Sequence, residues 1–262
     1  MKSKITLFAA IAVHAGLLPL ARADAQENFD AQGIVDRLVA LQPTNGCDQS
    51  GAAGRGEAIR GKFDANRYFT VLNRLHPDDG LVLDWVFWNG GIGGHPVLYL
   101  REQDAPPFED VEALEKSAPP TDRGNRPANR LERIRAEDSP AGFFQLVALH
   151  LLGDRFCLFW HEYYNEIALV CSPAGWQAIL RREQDRGEPY TPPPPDFIAS
   201  AAKLDFTPQV QMGPDQVAVS VVTYCPFGGL ERRHFEIARP FPHRILTASS
   251  THLLRHSQRF VF

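Results

Sequence analysis

The chain has 262 residues, of which 44% are hydrophobic and 22% are charged, and its formal net charge at pH 7 is −4. This length and hydrophobic content can build a substantial core, in one large domain or two small ones. The mildly acidic charge argues against a nucleic-acid partner, because phosphate binding requires clustered Lys and Arg side chains.

The first 23 residues have the layout of a secretory signal peptide. Lys2 and Lys4 precede an apolar run from Ile5 to Leu20, and Ala21-Arg22-Ala23 offers a small-x-small cleavage site. This segment carries Lys2, Lys4 and Arg22 and no acidic residue, so its removal changes the formal charge from −4 to −7. No later segment is long and apolar enough to cross a bilayer. We therefore expect an exported protein, periplasmic or extracellular and bacterial in style, whose mature chain has no transmembrane segment; an uncleaved anchor is the alternative.

All four cysteines remain after cleavage: Cys47, Cys157, Cys171 and Cys225. An even number of cysteines in an exported chain predicts two disulfide bonds. The apolar runs Phe156–Trp160 and Ile167–Cys171 flank a polar turn and predict a central β-hairpin, which would place Cys157 opposite Cys171. This pairing leaves Cys47 with Cys225. Free buried thiols are the alternative, whereas no cysteine pair has the C-x2–4-C spacing of a zinc site.

The first part of the mature chain alternates helix and strand patterns. Phe29–Leu41 has apolar residues at helical spacing. Three apolar runs, separated by a turn with Pro, Asp and Gly and by a glycine run, predict a three-stranded meander over Tyr68–Leu75, Leu81–Trp88 and Pro96–Arg101. Ser139-Pro140 is a helix start before the apolar run Ala141–Leu152, so this helix should be deeply buried.

The second part predicts one further helix and more antiparallel strands. Ser172-Pro173 begins a helix, and Val217–Tyr224 and Leu230–Arg239 form a hairpin, followed by a weaker strand over Ile245–Leu254. Because strands occur as sequential hairpins, the fold class is α+β, with antiparallel hairpins and packed helices stabilised by disulfides. Residues 24–262 are predicted to form a single domain, with the proline segment 189–196 as an alternative boundary.

Four residues are candidates for acid–base catalysis. His161 and Glu162 lie in the polar turn of the central hairpin, where a site at a sheet end or a plain turn would both fit. Asp84 lies within an apolar strand, where burial would perturb its pKa or an arginine would pair with it. His95 follows the glycine run Gly90–Gly94, which fits a ligand-binding loop or a simple hairpin connection.

No motif for a cofactor or metal is present, and none is expected. The glycine run lacks the Lys-Ser or Lys-Thr of a phosphate loop, and no G-x-S-x-G elbow occurs. His252 and His256 have the spacing of metal ligands on a helix, but the surrounding sequence is weakly helical. The sequence therefore favours a non-enzymatic binding or scaffold protein of the cell envelope with an unidentified ligand or protein partner. The alternative is an envelope hydrolase that uses His161, Glu162, Asp84 and His95.

Overall fold

The computed structural model describes residues 28–43, 63–90, 93–117, 131–185 and 192–256. The predicted signal peptide and Cys47 lie outside these residues. The α-helices are α1 (Ala31–Leu41), α2 (Val111–Ser117), α3 (Pro140–Leu152), α4 (Pro173–Asp185) and α5 (Pro195–Ala201), and Ala65–Thr70 and His161–Asn165 form 3₁₀ helices. The strands are β1 (Leu75–Pro77), β2 (Leu81–Asn89), β3 (Gly93–Glu102), β4 (Ile134–Ala136), β5 (Phe159–Trp160), β6 (Ala168–Val170), β7 (Gln209–Met212), β8 (Gln216–Cys225), β9 (Gly229–Ala238) and β10 (Ile245–Arg255).

Helix α3 lies at the centre of the largest hydrophobic core. Every residue of α3 except Pro140 and His150 is buried, as its nearly all-apolar sequence predicts. The Ser139 side chain caps the first turn by accepting a hydrogen bond from the Gly142 amide at 3.1 Å. The helix packs against α1 on one side and against β6, β7 and β8 on the other. The N-cap and the burial predicted for this segment are both confirmed.

The largest sheet has the order β10-β9-β8-β6, with β7 also paired to β8, and all its pairs are antiparallel. Alternate residues of β8 point into two different cores. Val217, Val219 and Val221 face the core around α3, whereas Val222 and Tyr224 face a second core with Trp176 of α4 and Phe197 of α5. The sheet is therefore covered by helices on both faces near β8, which explains the nearly continuous apolar sequence of this strand.

Two smaller sheets complete the fold. One contains β2, β3 and β5, and the other pairs β1 with β4, again with antiparallel register throughout. The coexistence of helices and antiparallel strands confirms the α+β class. Within the described ranges, no helix combines the length and the apolar character needed to span a bilayer.

The predicted strand over Tyr68–Leu75 is wrong. Residues 65–70 form a 3₁₀ helix, which Asp64 caps by accepting a hydrogen bond from the Asn66 amide at 2.9 Å. The Tyr68 hydroxyl is buried and donates to the Gly153 carbonyl at 2.9 Å, so a tertiary contact fixes this turn. Only Leu75–Pro77 is extended, and it pairs with β4 rather than with β2.

The predicted central hairpin is also wrong. Phe159–Trp160 pairs with Gly93 and Gly94 of β3, whereas Ala168–Val170 pairs with β8 in a different sheet. The intervening polar residues form a 3₁₀ helix, and Cys157 has a φ of 50°, a left-handed backbone conformation incompatible with a regular strand. Apolar residues on both strand faces indicated burial correctly, but they do not specify which strand is the partner.

Both predicted disulfide pairs are wrong, because Cys171 and Cys225 are free thiols. Stabilisation by the pairs Cys157–Cys171 and Cys47–Cys225 is therefore not supported. The error follows from the hairpin, since Cys157 and Cys171 belong to segments that pair with different sheets.

The outer edge of β2 is blocked by a side chain. The Asn66 side chain accepts from the Leu83 amide at 2.9 Å and donates to the Leu83 carbonyl at 3.0 Å. This pair of bonds copies the hydrogen-bonding pattern of a neighbouring strand. Asn66 therefore ties the 3₁₀ helix to the sheet and occupies a backbone position that another chain could otherwise use.

Replacing Asn66 with alanine should lower the free energy of unfolding by about 1–3 kcal/mol, because both Leu83 groups lose their side-chain partner. Urea denaturation measures the change. Arg67→Ala is the matched control, since Arg67 is exposed on the same 3₁₀ helix and its loss should stay within about 0.5 kcal/mol. Equal effects of the two substitutions would contradict this role of Asn66.

Candidate functional site

Two of the four predicted site residues are brought together by the pairing of β5 with β3. This pairing places the 3₁₀ helix His161–Asn165 next to the start of β3. The Nδ1 atom of His95 lies 3.3 Å from Oε2 of Glu162, and the two side chains are only 13% and 14% exposed. This distance places the imidazole in direct contact with the carboxylate, and the two groups form an ion pair when His95 is protonated.

The pair is enclosed by an aromatic ring and an amide. The Trp88 ring lies 5.1 Å from the His95 ring, between centroids, and Trp88 is one of the few large hydrophobic residues that stay exposed. Asn165 donates from Nδ2 to Glu162 Oε2 at 3.0 Å, so one carboxylate oxygen receives two partners. Chemically, a histidine oriented in this way can accept a proton from water or from a ligand hydroxyl.

The glycine run beside His95 serves the hairpin. The Gly90 amide donates to the Gly93 carbonyl at 2.8 Å and closes the connection between β2 and β3. A Cβ atom on Gly94 would lie 2.8 Å from the Trp88 carbonyl oxygen, so this position requires glycine for close backbone approach. The contacts of the described glycines in this run therefore fit a simple hairpin connection between β2 and β3.

Asp84 belongs to a different interaction. Its Oδ2 atom accepts from Arg101 Nε at 2.6 Å, and both side chains are 21% exposed. Arg101 also donates to the carbonyls of Glu102, Gln103 and Ala105, which fixes the loop after β3. Asp84 thus anchors a structural arginine, one of the alternatives that the sequence left open.

His161 packs in an aromatic row. Its ring lies 5.3 Å from Tyr164, which in turn lies 5.0 Å edge-on from Phe227 in the β8–β9 turn. The Cys225 thiol donates to the Tyr164 carbonyl at 3.4 Å. These contacts join the 3₁₀ helix to the large sheet. They give His161 a packing role, while its neighbour Glu162 contacts His95.

The free thiols are poorly suited to nucleophilic chemistry. Burial raises the pKa of Cys171 to about 12, and burial also raises the pKa of Cys225. Both groups are therefore protonated at neutral pH, and the thiolate is the reactive form. Among the described residues, no cluster of three or more His, Cys, Asp or Glu side chains is arranged to hold a metal ion.

An open cavity of about 440 Å³ lies on another part of the surface, between α1, the 3₁₀ helix at Ala65–Thr70 and α3. Its lining includes Arg37 and Arg74, but Asp30 pairs with Arg37 and Glu137 pairs with Arg74. The cavity contains none of the four predicted site residues. Its paired arginines offer no uncompensated charge to an anionic ligand.

A second candidate surface is the outer edge of β10, which we call the β10 edge. It comprises the backbone groups of Ile245–Arg255 that face away from β9. Seven consecutive residues, from Leu246 to His252, are exposed, and no described strand pairs with this side. Ile245 packs against the main core and Leu253 and Leu254 against the second core, so both ends of the strand are anchored.

Sequence reasoning missed the roles of Trp88, Asn165 and the β10 edge. Trp88 and Asn165 are recognisable only once β5 pairs with β3, and no local pattern predicts that pairing. The β10 edge could have been predicted from the sequence, because this strand contains no Lys, Pro, Asp or Glu. Those are the residues with which exposed edges are commonly protected.

The contact between His95 and Glu162 should appear as energetic coupling. A double-mutant cycle with His95→Ala and Glu162→Ala, measured by urea denaturation, should give an interaction energy of about 0.5–3 kcal/mol. A cycle with His161→Ala and Glu162→Ala is the control, because these two side chains have different partners, and its coupling should be smaller. Additive effects of His95→Ala and Glu162→Ala on the free energy of unfolding would show that the two side chains do not interact.

Comparison of the chain with protein-family models, curated proteins and solved structures finds no match. The His95–Glu162 pair offers acid–base chemistry, and the β10 edge offers backbone hydrogen-bonding groups to a partner strand.

Proposed function

We propose that this chain is an exported, non-enzymatic binding or scaffold protein of the cell envelope that recruits its partner through the β10 edge. Export is inferred from the leader sequence of residues 1–23. The observation that carries the binding function is the 11-residue strand β10, whose central side chains are exposed and whose outer side pairs with no described strand.

An exposed edge of this length is a template for strand addition. The unpaired N–H and C=O groups of an edge strand form main-chain hydrogen bonds with an extended segment, which gives affinity with little dependence on side chains. Strands β6 and β7 at the other side of the sheet have only three and four residues. Edge strands that short give an added segment few backbone partners.

The predicted catalytic residues give weaker support to an enzyme. Asp84 is held by Arg101, and His161 packs against Tyr164. Of these four residues, His95 and Glu162 are the pair for which the described part of the chain shows a side-chain contact. A catalytic site generally needs several groups that converge on one reacting atom. A single pair of side chains does not make such a site by itself.

The binding function can be tested with a display library of extended peptides selected on the mature chain. We expect the selected peptides to lose affinity by about tenfold or more against Ala248→Lys/Ser250→Lys, because charged side chains on an edge oppose strand addition. Fluorescence anisotropy with a labelled selected peptide measures the change.

The matched control is Gln209→Lys/Gln211→Lys. It adds the same charge at exposed alternate positions of β7, at the opposite side of the sheet, and it should leave peptide affinity unchanged. Peptides that bind the β10 variant as tightly as the wild-type chain would refute recruitment through this edge.

An envelope hydrolase is the second candidate, favoured by the 3.3 Å contact between His95 and Glu162. With a substrate panel of esters, peptides, phosphates and glycosides, this hypothesis expects turnover that falls by about 10²–10⁴-fold in Glu162→Gln. Asp84→Asn is the control and should keep the activity, because Asp84 contacts Arg101 instead. A wild-type chain without turnover on the panel would eliminate the hydrolase.

A further inference from the structure

We infer that the partner on the β10 edge is a second copy of this chain. Two β10 strands would pair antiparallel across a two-fold axis at Ser250 and join two five-stranded sheets into one. This inference rests on the proposed function and names the partner of the same edge. The resulting interface is isologous, so each N–H···O=C bond between residues i and j of the two copies occurs twice, once in each direction.

The geometry of β10 suits pairing with itself. In a two-fold antiparallel pair, a residue on the axis faces its own copy, and its neighbours pair at equal distances on either side. Ser250 is the middle residue of Ile245–Arg255. The pairing of β10 with β9 is regular from Thr247 to His252 and shifts register between Ile245 and Thr247 and between His252 and Leu254, so an axis at Ser250 lies within the regular stretch.

The side chains are compatible with this register. Leu246, which is 47% exposed in the single chain, would lie near the Leu253–Leu254 end of the strand in the second copy. The centre of the pair would contain only small residues, with Ser249 opposite Thr251 and Ser250 opposite Ser250. Two strands can approach closely there without steric conflict.

The charges also favour the copy over an unrelated charged segment. Strand β10 contains no acidic residue and no lysine, and its one arginine, Arg255, would lie opposite Ile245. No like charges would therefore face each other across the axis, although the chain as a whole carries a net negative charge. The Glu231 carboxylate that lies 3.3 Å from His252 Nδ1 is on β9 of the same copy.

Cysteine crosslinking tests the register directly. In the proposed pair, the two Ser250 Cα atoms would be about 4.5–5.5 Å apart, which is within the range of a disulfide bond. Ser250→Cys should therefore give a crosslinked dimer on mild oxidation, visible on a non-reducing gel. Thr247→Cys is the control, because six residues of strand separate the two copies of this position, about 20 Å, and it should stay at the background of the wild-type chain.

Light scattering on the mature wild-type chain completes the test. It should give twice the monomer mass, and Ala248→Lys/Ser250→Lys should give the monomer mass with an unchanged circular dichroism spectrum. A monomeric wild-type chain without a Ser250→Cys crosslink would overturn self-pairing. If the selected peptides still lost affinity for Ala248→Lys/Ser250→Lys, recruitment through the edge would stand and only the identity of the partner would change. Equal crosslinking at Thr247→Cys and Ser250→Cys would also overturn the proposed register.

Discussion

Burial of α3 is the constraint on which the rest of the fold depends. The helix is apolar on all sides, so it requires α1 on one side and the large sheet on the other to exclude water. The buried Gln145 side chain accepts a hydrogen bond from the Arg74 backbone amide at 2.8 Å, which satisfies this polar group inside the core. The helix therefore fixes the connection that leads to β1 as well as the position of β8.

Local sequence signals predicted the elements whose stabilising contacts are local. Ser139 and Ser172 cap α3 and α4 through amides three residues away, and the hairpins β2–β3 and β8–β9 pair neighbours in sequence. The failures are segments whose partners are remote. Tyr68 is held by Gly153, and Phe156, predicted to be in a strand, instead packs edge-on against Phe63 at 4.9 Å and Trp85 at 5.3 Å.

The same distinction applies to the candidate site. The sequence supplied His95 and Glu162 as separate candidates, because each is polar next to an apolar strand. Their contact depends on the two-residue pairing of β5 with β3, for which hydrophobic alternation contains no information. Asp84 illustrates the opposite case, since its partner Arg101 lies on the adjacent strand of a hairpin that the sequence did predict.

Strands β2 and β10 show two different treatments of a sheet edge. The Asn66 side chain occupies the outer side of β2 at Leu83. Several residues of β2 are buried, so apolar burial also stabilises this strand. Strand β10 buries little along its middle, and the ladder with β9 is its main local stabilisation. Since burial of apolar surface is the usual reason for a strand to persist, a seven-residue exposed stretch anchored at both ends requires another reason. A partner strand on the outer side provides such a reason, because its backbone forms a second ladder of hydrogen bonds with β10.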